Sequence, residues 1–116
     1  MHFQVDAIAT ILHAPQASVE AHWPLIVEAL AALQILDPGV EAAAIASIGA
    51  ESYRFAPEKE VGSVAYFRRM YEFDRALGNV EPGDASKYCG RGFLPLVGRT
   101  AYARFDNAWN GSDEAD

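Results

Sequence analysis

One cysteine, three histidines and nine Lys or Arg residues stand in a chain of 116. Each scarcity closes off a class of function. Cys89 has no internal partner, so there is no disulfide framework and no sign of an oxidising compartment. It reads as a structural thiol beside a glycine turn. His2, His13 and His22 are not spaced as metal ligands, and no metal motif appears. Nine basic residues against sixteen acidic ones leave a net charge of −7. That disfavours nucleic acid, whose phosphates are bound by clustered Lys and Arg. It disfavours anionic membranes for the same reason. No stretch approaches the ~18 apolar residues of a membrane span. No basic segment followed by a long apolar one marks a signal peptide. The expectation is a cytoplasmically made monomer with no metal, no cofactor and a ligand of low charge.

What is present fits one globular domain. Apolar residues make up 51% of the chain and charged residues 22%, the balance of an ordinary core-forming domain. The pattern is mainly α. Val5 to Leu12 places apolar residues at helical spacing, and Ala14-Pro15-Gln16 breaks it. Ser18 is a good N-cap for a short helix, and Pro24 suits the first turn of the next. Leu25, Ile26, Ala29, Leu30 and Leu33 then form one stripe. Asp37-Pro38 starts an alanine-rich helix running to Glu51. Tyr53 to Phe55 has the look of an extended piece. Val64 to Glu72 fits a fourth helix, Gly78 to Arg91 an ordered loop, and Thr100 to Phe105 the start of another helix. Trp23 reads as core and Trp109 as an anchor for the tail. The domain spans 1–109, and the acidic stretch 110–116 reads as a frayed tail.

The most distinctive stretch runs Tyr88-Cys89-Gly90-Arg91-Gly92-Phe93-Leu94-Pro95-Leu96-Val97-Gly98-Arg99-Thr100-Ala101-Tyr102. It resembles the signature of family 19 glycoside hydrolases, the chitinases and phage endolysins. Those read Tyr-x-Gly-Arg-Gly-(aromatic)-Ile-Gln-Leu-Thr-Gly-Arg-x-Asn-Tyr. Further blocks keep the family's order. Ala42 to Ser52 is similar to the helix that carries the general acid. Tyr66 to Glu72 is similar to the segment with the second carboxylate. Leu77-Gly78-Asn79-Val80-Glu81-Pro82-Gly83-Asp84 is similar to the loop before the Gly-Arg-Gly turn. The resemblance implies a lysozyme-like helical domain. It also implies further helices beyond this stretch, so the form here is expected to be truncated or minimal. It implies Glu51 as acid and Glu72 as base, acting on β-1,4-linked amino sugars of peptidoglycan or chitin. A phage lysin of this kind is made in the cytoplasm and released by a holin.

Inverting hydrolysis needs two carboxyls about 6.5–9.5 Å apart, with water between them. The sugar-handling groups around them have changed in this chain. Pro95 stands for the family's Gln, Val97 for its Thr and Ala101 for its Asn. Tyr53 stands for a Gly, Asp74 for an Arg and Ala76 for an Asp. Methyl groups cannot replace hydrogen bonds to sugar. Three readings follow. The cleft is remade, by nature or by design, into a pocket for a small apolar planar molecule. Tyr53, Phe73, Phe93, Pro95, Val97 and Ala101 then line it, and a carboxylate abstracts a proton. Asp74 is the leading base there, with Glu51 and Glu72 as alternatives. In the second reading the chain is a working endolysin or chitinase. In the third it binds glycan without cutting it. The glycines 90, 92 and 98 read as tight turns, and Arg91 and Arg99 as loop anchors through carboxylates such as Asp84.

Overall fold

Caps and breakers decide where the first helices lie. A computed structural model describes residues 1–52 and 54–111. Helix α1 spans Val5–Leu12 and ends at His13, which takes the left-handed conformation at φ 54°. Helix α2 spans Gln16–Ala32 without interruption. Ser18 and Pro24 therefore do not open separate helices. Proline inside a helix costs about 3 kcal/mol through a lost N–H and a clash one turn back. Continuity is favoured because Val19 and Trp23, one turn apart, are both fully buried. The stripe expected over Leu25 to Leu33 divides. Ile26 and Leu30 continue the buried face half-covered, while Leu25, Ala29 and Leu33 point outward.

Helix α3 spans Pro38–Glu51, opened as expected by Asp37, whose carboxylate accepts from the Val40 N–H at 2.9 Å with Pro38 in the first turn. Glu41 in that first turn is fully buried. Its carboxylate accepts from the His2 backbone N–H at 2.9 Å and lies 2.7 Å from His2 Nδ1. Desolvation pushes the Glu41 carboxyl up, but the hydrogen bonds from His2, with the charges of the N-terminus and His2, together outweigh it and leave the group below its ordinary value.

Residues Met1–Pro57 form one compact unit. Ile8, Ala9, Val19, Trp23, Ile45, Ile48 and Phe55 are its buried apolar residues. Trp23 meets Phe55 edge-on with centroids 6.5 Å apart and donates its indole N–H to the Phe3 carbonyl. Phe55 has φ 53° and sits in a turn. The extended piece expected at Tyr53 to Phe55 is therefore a turn at its described residues; Tyr53 lies outside them. Burial of the Phe55 ring compensates a conformation few non-glycine residues adopt.

Residues Glu58–Asp116 form the second compact unit. Strand β1 (Glu58–Lys59) pairs antiparallel with β2 (Arg91–Gly92). Helix α4 spans Val64–Tyr71 and is capped by Ser63, whose hydroxyl accepts from the Tyr66 N–H. A 3₁₀ turn covers Arg75–Leu77, and a one-turn helix α5, Asp84–Lys87, lies inside the expected loop. Helix α6 spans Arg99–Asn110. Phe67, Ala85 and Cys89 make the buried cluster, with Tyr66 and Tyr71 packed on it. Asn110 ends α6 and Gly111 is its left-handed cap, while 112–116 lie outside the described residues. Trp109 is no anchor: it is 79% exposed and stacks on Phe105. The chain is thus mainly helical. Among the described residues no helix is long and apolar enough to cross a membrane.

Trp23→Phe removes the indole bond and leaves a void. It is expected to cost about 1–3 kcal/mol, read as a lower urea midpoint at unchanged slope. An unchanged midpoint would show that Trp23 does not organise this unit.

Candidate functional site

The stretch Leu77 to Tyr102 is held by glycine contacts and by the side chains of Asn79, Asp84, Arg91, Arg99 and Tyr102. Gly78 and Gly98 both need positive φ, 72° and 94°. A Cβ on Gly98 would lie 2.6 Å from the Leu77 carbonyl oxygen, and one on Gly78 would strike the Thr100 side chain. Backbone strands approach here because no side chain intervenes. Asn79, fully buried, uses both ends of its amide. Its Nδ2 donates to the Tyr71 carbonyl at 2.9 Å, and its Oδ1 accepts from the Arg99 N–H at 2.9 Å. It therefore ties the end of α4 to the start of α6.

Asp84 is the centre of this stretch. It is 2% exposed. Arg99 grips it bidentately, Nε to Oδ2 at 2.8 Å and Nη2 to Oδ1 at 2.9 Å. The Val80 and Glu81 N–H groups also donate to Oδ2, each at 3.0 Å. The Arg99 hydrogen bonds pull the carboxyl down, burial opposes them, and the two backbone donors add to the pull, leaving it at about 2. The Gly-Arg-Gly turn is fastened differently. Arg91 Nη1 donates to the Lys87 carbonyl and the Tyr102 hydroxyl at 2.8 and 2.9 Å. The Tyr102 hydroxyl donates to the Cys89 carbonyl. Arg99 thus uses a carboxylate as anchor, whereas Arg91 uses carbonyls and a phenol.

The carboxylates singled out in the sequence have different settings. Glu51 is the last residue of α3 in Met1–Pro57 and is exposed, not turned into the core. Glu72 closes α4 in the other unit. Its two oxygens accept from the Gly83 and Ala85 N–H groups at 3.3 and 3.2 Å, and Arg68 Nε lies 3.6 Å away. Glu72 therefore seats the start of α5. Asp74 caps the 3₁₀ turn, its Oδ1 accepting from the Ala76 and Leu77 N–H groups at 3.0 and 3.4 Å. Phe73 between them has φ 57° and is 58% exposed. Phe93, Pro95 and Val97 lie in the segment after β2, closed by the Arg91–Leu96 bridge. Pro95 is exposed, Phe93 and Val97 half-buried, and Ala101 half-buried in the first turn of α6. Tyr53 lies outside the described residues. Apart from Tyr53 and Glu51, all these positions belong to Glu58–Asp116. Among the described residues no cluster of His, Cys, Asp and Glu is arranged to hold a metal.

Two features escaped the sequence. Glu60, set in a charged run that reads as plain loop, accepts the Tyr71 hydroxyl at 2.6 Å and the Gly90 N–H at 3.1 Å. The Glu60 hydrogen bond, with burial, pushes the Tyr71 phenol up to about 12. The second is a cleft of about 590 Å³ lined by Tyr88, Arg99, Tyr102, Ala103, Asp106 and Asn107. Only the helical spacing of its α6 members hinted at a shared face. Compared with known proteins, the chain matches no family profile, no curated protein and no solved structure.

Two titrations test this site. Asp84 has its folded value below the ordinary 3.8, so its pairing stabilises the fold above that pH. The contribution is withdrawn as pH falls through 3.8 towards about 2. Asp84→Asn should cost about 2–3 kcal/mol at neutral pH in urea unfolding, and its stability should fall less than wild type on acidification. Parallel losses would mean the pair contributes nothing. Tyr71 runs the other way. Its raised value stabilises the fold below pH 10 and the effect is lost as pH rises through about 12. Ultraviolet titration should show a late phenolate, absent in Tyr71→Phe and brought earlier by Glu60→Gln. A single common step in wild type contradicts the pairing.

Proposed function

We propose that the chain recognises β-1,4-linked amino-sugar polymers, peptidoglycan or chitin, in the manner of family 19 glycoside hydrolases. Glu51 takes the place of the acid that protonates the leaving oxygen, and Glu72 that of the carboxylate that activates water. One observation carries the reading. The residues responsible for the resemblance, from Gly78, Asn79 and Asp84 to Arg91, Gly98, Arg99 and Tyr102, are the ones whose bonds hold that stretch together. These residues thus have definite packing and bonding roles here, which supports reading the motif as a unit. The exposed end of α3 leaves the Glu51 carboxylate open to a substrate. The net charge of −7 suits a polymer of low charge.

A second reading, binding without cleavage, is favoured by specific facts. Both Glu72 oxygens already accept backbone N–H groups. Pro95, Val97 and Ala101 offer no side-chain hydrogen bond to sugar or to the attacking water. Proton abstraction from a planar apolar ligand has less support. It depends on Asp74, whose Oδ1 is occupied by two N–H groups as a turn cap, and on an apolar lining to which Phe73 and Pro95 would contribute, and both are exposed.

The deciding experiment follows turbidity of a peptidoglycan suspension and co-sedimentation with insoluble chitin. Clearing that disappears in Glu51→Gln while co-sedimentation persists is the expected result for the hydrolase. Co-sedimentation without clearing establishes the binding form. Neither clearing nor co-sedimentation would end the glycan reading.

A further inference from the structure

The cleft of about 590 Å³ on α6 is not built from the positions the resemblance assigns to sugar. Its helical lining residues, Arg99, Tyr102, Ala103, Asp106 and Asn107, recur every three or four residues and so share one face. Ala101 points away from that face, roughly half a turn round the helix. Tyr88 closes the other side. The size lies within the range of small-molecule sites, about 300–1,000 Å³.

The chemistry of the lining is specific. Tyr102 spends its hydroxyl on the Arg91 guanidinium and the Cys89 carbonyl, so its polar end is directed into the turn. The Tyr88 ring meets Tyr102 edge-on at 5.2 Å. Arg99 lies over the Tyr88 ring at 5.3 Å and Lys87 at 5.2 Å, which holds that ring in place. Arg99 uses Nε and Nη2 on Asp84, and its Nη1 has no partner among the described residues. Asp106 accepts from Asn110 through Oδ1, and its Oδ2 has no partner among the described residues. The cleft therefore offers aromatic surface, one charge-assisted donor and one charge-assisted acceptor. Asp84 already neutralises Arg99, and Asp106 adds a further negative charge to the lining. A phosphate or other polyanion gains little there. A flat apolar ligand leaves the donor and the acceptor unpaired. A pyranose satisfies all of these groups: its C–H face lies on a tyrosine, and hydroxyls both donate and accept.

We infer that this face of α6 is a saccharide subsite, separate from the positions of Pro95, Val97 and Ala101, which takes a neutral sugar unit of the glycan. The inference rests on the glycan reading above and adds the place where the polymer is gripped. It is tested by titrating chitotetraose into the full-length isotope-labelled chain and following backbone amides by NMR. Saturable shifts at Tyr88, Ala103 and Asn107 are expected. Ala103→Trp fills the cleft and should abolish those shifts. Asp106→Ala, at an exposed position, should weaken them about tenfold, as loss of one hydrogen bond to a charged acceptor does. If the oligomer shifts amides near Glu51 or Glu72 and leaves the cleft unmoved, the subsite is wrong and the glycan reading stands. Equal affinity in both variants also overturns the subsite. No shift anywhere, together with no co-sedimentation with chitin, removes both ideas.

Discussion

The pair between Asp84 and Arg99 is the constraint on which the second unit depends. A carboxylate 2% exposed to solvent needs its oxygens filled. Arg99 fills both, and the Val80 and Glu81 N–H groups complete the set. One bonded group thereby orders the loop before α5, positions α5 itself and fixes the first turn of α6. Gly78 and Gly98 let the backbone come close enough for the pair to form. Asn79 repeats the link through neutral groups. The charge on Arg99 then serves twice, since the same guanidinium that grips Asp84 also lies over the Tyr88 ring.

Carboxylates in this chain are divided between holding the backbone and meeting solvent. Glu41 buries itself to hold the His2 segment, and Glu60 clasps Tyr71 to the Gly90 turn. Glu72 and Asp74 stand at the starts of short helical turns, where N–H groups lack internal partners. Glu51, exposed at a helix end, has no such assignment among the described residues. A glycosidase needs one carboxyl that gives a proton and one that orients water.

The helices were legible to different degrees, for identifiable reasons. Asp37-Pro38 marks a start because an Asx cap and an N1 proline act locally, and α3 begins there. α1 and α4 follow from spacing, to within a residue at the end of α4. α2 was misread because Pro24 is a strong local signal that burial of Trp23 and Val19 overrides. Phe55 was misread because a buried aromatic holds a left-handed turn that its own residue type disfavours. α5 was missed because one turn of helix carries no periodic signal, and its stability comes from the Glu72 carboxylate at its start.

The sequence by itself determined the mainly helical class, the start of α3 at Asp37, the glycines of the Leu77 to Gly98 stretch and the loop-anchoring role of the Arg99–Asp84 pair. These depend on neighbours within a few residues or on a motif written in order. Only the tertiary structure decided how the other carboxylates are used. Whether an oxygen meets a backbone N–H, an arginine or water depends on residues ten to forty positions away, as with Glu41 and His2 or Glu60 and Gly90. The cleft on α6 was likewise invisible along the chain. Its floor is a helix face, but its far wall is Tyr88, brought there by a pair of opposite charges fifteen residues apart.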